Sequence, residues 1–496
     1  MVPKLFVGTQ GFNIQTQDSL DPEDWVKTRE QGHRMLDDMF DYLESIRERP
    51  VWQPIPDSVR NSVREELPRG PSSLESVHRT FMNDILPYAV GNTHPGFMGW
   101  VHGGGTPVGM LAEMLSAGLN ANLGGRDQMP VEIEHQVLAW VRDLFHFPRE
   151  ATGLFVTGTS MANLIGILIA RASAAGTAVR RGGLHAIGRQ LAAYASVDSH
   201  LSIARAMEIS GIGSDMLRLI PTGERQVMDL SALAAAIEKD REAGHQPFLL
   251  VGTAGSVDTG TIDDLAALAD IASSERLWFH VDGAYGALAM LSPTLAPRLS
   301  GIERADSIAF DFHKWGQVPY DAGFLLARDG TLHRAAFASP VSYLAREGIA
   351  MAAGSPWPSD LGVDLSRSFR ALKTWFTIKV YGIKKLGEVI SRTCELARYM
   401  AERIAESEAL ELLAPVSLNI VCFGYRCSDP DRVNIAIASA IQKSGTAAPS
   451  TAVVGGRTAI RAAIVNHRTE RRDVDAMLDA AAMFGAAETA LERKSS

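Results

Sequence analysis

The spacing of apolar positions changes several times along the chain and divides it into three stretches. From Pro22 to about Arg47, Trp25, Met35, Leu36, Met39, Phe40, Tyr42 and Leu43 recur mostly at helical intervals, which predicts an amphipathic helix. A Pro-rich connector follows (Arg49-Pro-Val-Trp-Gln-Pro-Ile-Pro), then two further helical stretches at Ser58 to Glu66 and Ser73 to Leu86. Their apolar faces have little nearby to pack on, so this segment is expected to cover another domain or another subunit. Pro107 to Asn120 and Pro130 to Phe145 read as two more helices. From Gly153 the pattern alternates. Apolar runs of strand length (Gly153 to Val156, Leu191 to Ser196, Leu217 to Ile220, Pro247 to Gly252, Leu277 to Asp282) are separated by helical windows, among them Leu201 to Ile209, Asp229 to Glu242 and Asp264 to Ser273. This alternation predicts a mostly parallel sheet with helices on both faces. Beyond Leu325 to Arg328, an irregular region rich in Pro and Gly runs from Ala335 to Asp364, and loops that long are functional or mobile, so a lid is expected. Helices at Ser366 to Tyr381 and Leu386 to Glu406 lead into strands at Ser417 to Tyr425 and Thr458 to Val465 around a helix at Val433 to Lys443. The expected division is an N-terminal helical segment (1–88), a large α/β domain (89–375) and a small C-terminal α+β domain (376–496).

Composition adds little to this picture but excludes some classes. With 496 residues, 46% hydrophobic and 21% charged, the chain has the make-up of a soluble globular protein of several domains. A formal charge of −9 argues against nucleic acid or an anionic membrane surface as partners. No apolar stretch reads as a membrane span, because Ala162 to Val179 is interrupted by Asn163 and Arg171. No secretory leader is seen at Met-Val-Pro-Lys. The three cysteines, Cys394, Cys422 and Cys427, have no metal-ligand spacing and imply reduced thiols in a cytoplasmic protein.

The chemistry collects where apolar strands end. Ser307-Ile-Ala-Phe-Asp-Phe-His313-Lys314-Trp315 delivers a lysine at the end of a strand-like run, and upstream Leu277-Trp-Phe-His-Val-Asp282-Gly-Ala284 delivers an aspartate in the same way. A lysine held in apolar surroundings loses basicity and becomes a nucleophile suited to a Schiff base with an aldehyde. An aspartate beside it can hold a pyridinium nitrogen protonated. Together they meet two of the needs of pyridoxal 5'-phosphate, and the third is a phosphate cradle. Gly153 to Val156 followed by Thr157-Gly-Thr159-Ser160 supplies one, since it places hydroxyls and free N–H groups at a helix N-terminus. An ordinary Ser/Thr cap has the same sequence signature. Ser199-His200 and Thr253 lie at two further strand ends, on the edge where α/β sheets bind ligands. The segment Gly91 to Gly105, with Trp100 and His102 among its glycines, reads as a loop that something approaches closely.

With these residues in place, the chain resembles the group II pyridoxal-phosphate-dependent decarboxylases of aromatic L-amino acids, histidine and glutamate. The matching pieces are Thr93 to Phe97, Gly158 to Ala162, Ser196 to His200, Thr253 to Ser256, His280 to Gly286, Asp311 to Trp315 and Leu365 to Lys373, in order along nearly the whole chain. The resemblance implies a fold type I enzyme working as a homodimer, its N-terminal helices embracing the partner subunit, with a small-molecule amino acid as substrate. It implies that Lys314 forms the Schiff base, Asp282 pairs with the pyridine nitrogen, His200 stacks on one ring face and Ala284 packs on the other. Thr159 and Ser160 hold the phosphate, Thr253 lies near the ring oxygen or the substrate carboxylate, and His313 lies near the phosphate or the Schiff base. Trp100 and His102 occupy substrate-binding positions that are altered from the family pattern. The implied reaction converts an L-amino acid, aromatic ones among the candidates, to its amine and CO2. The family carries a tyrosine on the loop before the Ser-Arg helix as proton donor, whereas here Trp357-Pro-Ser-Asp360 stands in that neighbourhood and Tyr343 lies earlier. That departure leaves open protonation by another catalytic group, His200 or His313, or a different outcome, oxidative formation of an aldehyde or other fold type I chemistry, and a cofactor-binding scaffold stands as a third reading.

Overall fold

The computed structural model describes residues 19–223, 225–338, 351–354 and 356–495, with side chains as far as residue 490. Tyr343 and much of the expected lid lie outside the described residues. By its internal contacts the chain forms two units. One comprises Met1–Ser45 with Ile55–Pro87, and the other Ile46–Pro54 with Tyr88–Ser496.

In the first unit, helix α1 (Trp25–Glu44) starts where the Asp24 carboxylate accepts the Lys27 N–H, and short helices α2 (Asp57–Ser62) and α3 (Leu74–Thr80) follow. The window read as one helix to Leu86 continues past α3 as a π turn (Phe81–Ile85) and a 3-10 turn (Leu86–Tyr88). Gln31 is buried against His78, while Trp25, Val26, Leu74 and Val77 are exposed.

The second unit is built on a seven-stranded sheet. Helices α4 (Pro107–Leu119) and α5 (Met129–Leu144) precede it. The chain then runs β1 (Thr152–Val156), α6 (Thr159–Ala175), a single turn α7 (Val179–Gly182), β2 (Leu191–Ser196), α8 (Ser202–Ile209), β3 (Leu217–Ile220), α9 (Leu230–Glu242), β4 (Gln246–Thr253), α10 (Leu265–Glu275), β5 (Trp278–Asp282), β6 (Ser307–Asp311), β7 (Gly323–Ala327) and α11 (Gly330–Phe337). The strand order is β1-β7-β6-β5-β4-β2-β3. Pairings from β3 through β6 are parallel, and β7 runs antiparallel to both its neighbours, so the sheet is mostly parallel, as the βα alternation predicts. Every residue of β2, β5, β6 and β7 is buried, the mark of strands covered on both faces. Register decides which residues meet at the strand ends. Thr253 pairs with Asp282, Asp282 with Ala309, and Asp311 with Gly323, so the carboxyl ends of β4, β5 and β6 finish side by side.

Helix α12 (Arg370–Ala405) is broken at Gly382, whose φ of 72° is left-handed, so the two helices read from the sequence exist, the first starting later than read and the second earlier, and they meet directly. Four antiparallel strands follow in the order β10-β11-β9-β8, with β8 (Leu410–Leu412), β9 (Ile420–Tyr425), β10 (Ser450–Val454) and β11 (Arg457–Ala463). Helices α13 (Pro430–Ser444) and α14 (Arg471–Ser495) complete this part.

Candidate active site

The strand ends of the large sheet open into a cavity of about 310 Å3 lined by Trp100, His102, Thr159, Ser160, His200, Thr253, Asp282, Ala284, His313 and Lys314, so every residue expected from the sequence to hold the cofactor or the substrate is brought to one place. Asp311 and Tyr320 line it too, and the sequence pattern gave them no role.

At the centre, β6 ends in Asp311, which is 1% exposed. One carboxylate oxygen accepts the Thr159 N–H at 2.7 Å and the other pairs with Lys314 Nζ at 2.8 Å. A single carboxylate therefore ties the first N–H of α6 to the lysine turn. His313 takes the Ala322 N–H at its Nδ1, 3.0 Å away, so its own proton is on Nε2, which faces Asp311 at 3.6 Å. Burial, more than the neighbouring charges, drops the proton affinity of His313 to about 4.

Asp282 is reached by a chain of hydrogen bonds whose direction is forced. Trp278 Nε1–H can only donate, and it donates to Ser307 Oγ at 2.8 Å. The Ser307 proton is then free for His280 Nδ1, also at 2.8 Å. His280 is fully buried and burial lowers its proton affinity to about 3, so the ring is neutral with its proton on Nε2. That N–H donates to Asn163 Oδ1 at 2.9 Å. The Asn163 amide hydrogens consequently point at Asp282 Oδ2 (2.9 Å) and Ser202 Oγ (3.0 Å). Ser202, already an acceptor, gives its own proton to His200 Nδ1 at 2.8 Å, and the Ser202 N–H reaches the same nitrogen at 3.2 Å. One donor-only indole thus sets both histidine tautomers and aims N–H groups at Asp282. In the sequence Asn163 shows only as a polar break in an apolar helix.

Burial pushes the Asp282 carboxyl up, and the Asn163 amide is the first of the groups pulling it back. An ionisable carboxyl deep in a cavity, with donors but no ion-pair partner among the described residues, fits a site completed by a cation such as a pyridinium nitrogen. Thr159 Oγ1 and Thr253 Oγ1 are buried with no hydrogen-bond partner among the described residues. An unmet buried hydroxyl costs about 1–3 kcal/mol, so the two fit a ligand that brings acceptor oxygens. Thr159 and Ser160 stand at the start of α6, where a phosphate is favoured. Gly323, beside this turn, has no room for a Cβ because the Gly158 backbone lies against it. The residues present fit pyridoxal 5'-phosphate.

At the mouth, the Tyr320 ring lies 4.2 Å from His313 and meets His102 edge-on at 5.5 Å, while Phe97 stacks on His102 at 5.7 Å. Trp100 is half exposed beside them. The glycine-rich segment is approached closely, as expected, but by the chain itself. A Cβ on Gly103 would collide with the Lys314 and His313 carbonyls, and one on Gly104 with Asn466.

A family model described as the pyridoxal-dependent decarboxylase conserved domain matches residues 56–426, and the chain belongs to that family. The aromatic-L-amino-acid decarboxylase of Bacillus atrophaeus is 30% identical over 457 residues, covering 90% of this chain and 93% of that protein. The phenylacetaldehyde synthase of Petunia hybrida is 30% identical over 430 residues, covering 83% and 82% respectively. Among solved structures, the tryptophan decarboxylase of Catharanthus roseus in complex with L-tryptophan superposes with a TM-score of 0.84 at 25% identity, over 94% of this chain and 100% of that one. The protein is a fold type I, pyridoxal-phosphate-dependent amino-acid decarboxylase.

Proposed function

We propose that the enzyme converts an aromatic L-amino acid to its amine and CO2. The observation that carries the substrate class is the aromatic wall at the cavity mouth, where Trp100, His102 and Tyr320 stand within ring-contact distance of one another or of Phe97. The names of the relatives point the same way. When bound, pyridoxal phosphate supplies an electron sink for the pair released at the substrate α-carbon. In this reading Lys314 holds the cofactor covalently and Asp282 pairs with its ring nitrogen. His200 and Ala284 would take the two ring faces, and Thr159 and Ser160 the phosphate. Thr253 turns its unmet hydroxyl to the cofactor or the substrate carboxylate, and His313, proton on Nε2, stays beside Lys314 as a neutral neighbour.

The enzyme would work as a homodimer. Exposed Trp25, Val26, Leu74 and Val77 of the N-terminal unit support a partner-covering role for that segment. Cytoplasmic residence agrees with three free cysteines. Among the described residues no helix is long and apolar enough to cross a membrane.

The test follows CO2, amine and ammonia from an aromatic amino-acid panel in the wild type and in Asp282→Ala. Equal CO2 and amine are expected, with turnover in the variant falling far more than cofactor affinity. Equal losses of turnover and affinity would refute the role given to Asp282, and ammonia with aldehyde would move the enzyme to the chemistry named for the Petunia relative.

A further inference from the structure

We propose that Tyr320 is the acid that protonates the substrate α-carbon, an inference that rests on the amine-forming function proposed for this site. Loss of CO2 breaks the bond from the α-carbon to the carboxyl carbon and leaves its electron pair behind. Amine formation then needs one proton at that carbon. The donor must hold a proton at neutral pH, release it toward the cavity and recover it from solvent.

Most titratable groups lining the cavity fail one of these conditions. His200 and His313 each accept an N–H at Nδ1, from Ser202 and Ala322, so each keeps a single proton on Nε2. A neutral imidazole gives up that proton only with great difficulty. His102 is neutral as well, since burial and then the Lys314 charge lower its proton affinity. Asp282 and Asp311 take N–H donors on their oxygens and serve as acceptors. Lys314 carries protons, but its ammonium is paired with Asp311 at 2.8 Å and must return as a free amine to release the product.

Tyr320 meets all three conditions. Its phenol is held protonated, first by burial and then by the negative charge of Asp311. The ring packs on His313, one residue from Lys314, and the residue lines the cavity while being 48% exposed, so it borders both cavity and solvent. Its placement is also unusually well supported. Lys373 Nζ donates to the Tyr320 carbonyl at 3.0 Å and pairs with Glu113 at the same distance, although the lysine is only 2% exposed. Arg370 grips the adjacent Asp321 at 2.6 Å. Two cations from the first turn of α12 thus hold the corner that carries the phenol. In the step itself the Tyr320 O–H bond breaks, a C–H bond forms at the α-carbon, and the phenolate regains a proton from water at the mouth.

The experiment compares wild type, Tyr320→Phe and Tyr343→Phe as holoenzymes on the aromatic panel, measuring CO2 and amine separately, together with cofactor content. It also follows phenolate absorbance during alkaline titration of the cofactor-free proteins. For Tyr320→Phe we expect full cofactor content, amine formation reduced at least tenfold, an amine-to-CO2 ratio below that of the wild type, and the loss of one late-titrating phenol. Wild-type amine rates and ratio in Tyr320→Phe, or the expected losses in Tyr343→Phe instead, overturn the proposal while the amine-forming function stands. Wild type that yields aldehyde in place of amine overturns the function and the proposal together.

Discussion

Replacing Asn163 by leucine keeps much of the side chain's shape, removes its polar atoms and breaks the donor chain from Trp278 to Asp282 at its middle. Asn163 is fully buried and meets three partners at 2.9 to 3.0 Å. In the variant neither the His280 N–H nor Asp282 Oδ2 has a replacement partner. Ser202 loses one donor but keeps its bond to His200. Two orphaned buried groups, one of them a carboxylate, bring a loss of roughly 3–5 kcal/mol. The share belonging to Asp282 depends on pH. Its folded-state proton affinity is already raised above the ordinary 3.8 by burial, and losing the Asn163 amide raises it further. Below the wild-type folded value Asp282 is protonated in both folded proteins, so this share is absent. It grows as pH passes from the wild-type folded value to the variant's, and is complete above both. His280, whose affinity is lowered to about 3, makes both proteins lose stability as pH falls below its ordinary 6.5, and that effect cancels in the difference. Urea unfolding of the two proteins at about pH 4 and about pH 8, with the denaturant slope checked for constancy, measures all of this. A deficit below about 1 kcal/mol, or one of the same size at both pH values, refutes the directed chain.

Two further substitutions separate stability from cofactor binding. Thr159→Val removes a buried hydroxyl that has no partner among the described residues. The cofactor-free chain should therefore unfold at the same or slightly higher urea concentration, while calorimetric titration shows affinity for pyridoxal phosphate weakened about tenfold, or about 1.4 kcal/mol. Arg367→Met does the reverse. Arg367 and Glu134 are both buried, joined by two hydrogen bonds, and the guanidinium also reaches the Leu123 and Phe155 carbonyls at 2.9 and 3.0 Å. Leaving the buried Glu134 carboxylate with the Phe155 N–H but no counter-charge costs about 3–5 kcal/mol, read as a lower thermal midpoint.

The large sheet was legible because its strands are apolar runs bounded by helical windows, and the site because β4, β5 and β6 end in polar residues held side by side by parallel register. What escaped the sequence did so for local reasons. Strand β8 has three residues, too few to show a period of two. Strands β10 and β11 meet at Gly455-Gly456, both with positive φ, and that pair was a readable hairpin signal. Tyr320 sits in an irregular turn, and the cations of α12 that hold its corner lie about fifty residues further along the chain. Asn163 looked like a flaw in a buried helix, because its partners come from β5 and α8 and are visible only once the layers pack.

The grip on the glycine-rich segment sets an order of assembly. Arg461 on β11 donates to the Gly99 carbonyl at 2.7 Å across a separation of 362 residues, and the Asn466 amide reaches the Asn92 and Thr93 carbonyls at 3.0 Å. Gln317 ties Gly104 to Val465. The cavity wall that bears Trp100 and His102 precedes the residues that grip it by more than 360 positions, so it cannot close until β11 and the turn after it have been made. Contacts so distant in sequence are slow to form. During synthesis the strands of the large sheet are therefore made before the residues that close the cavity over their ends.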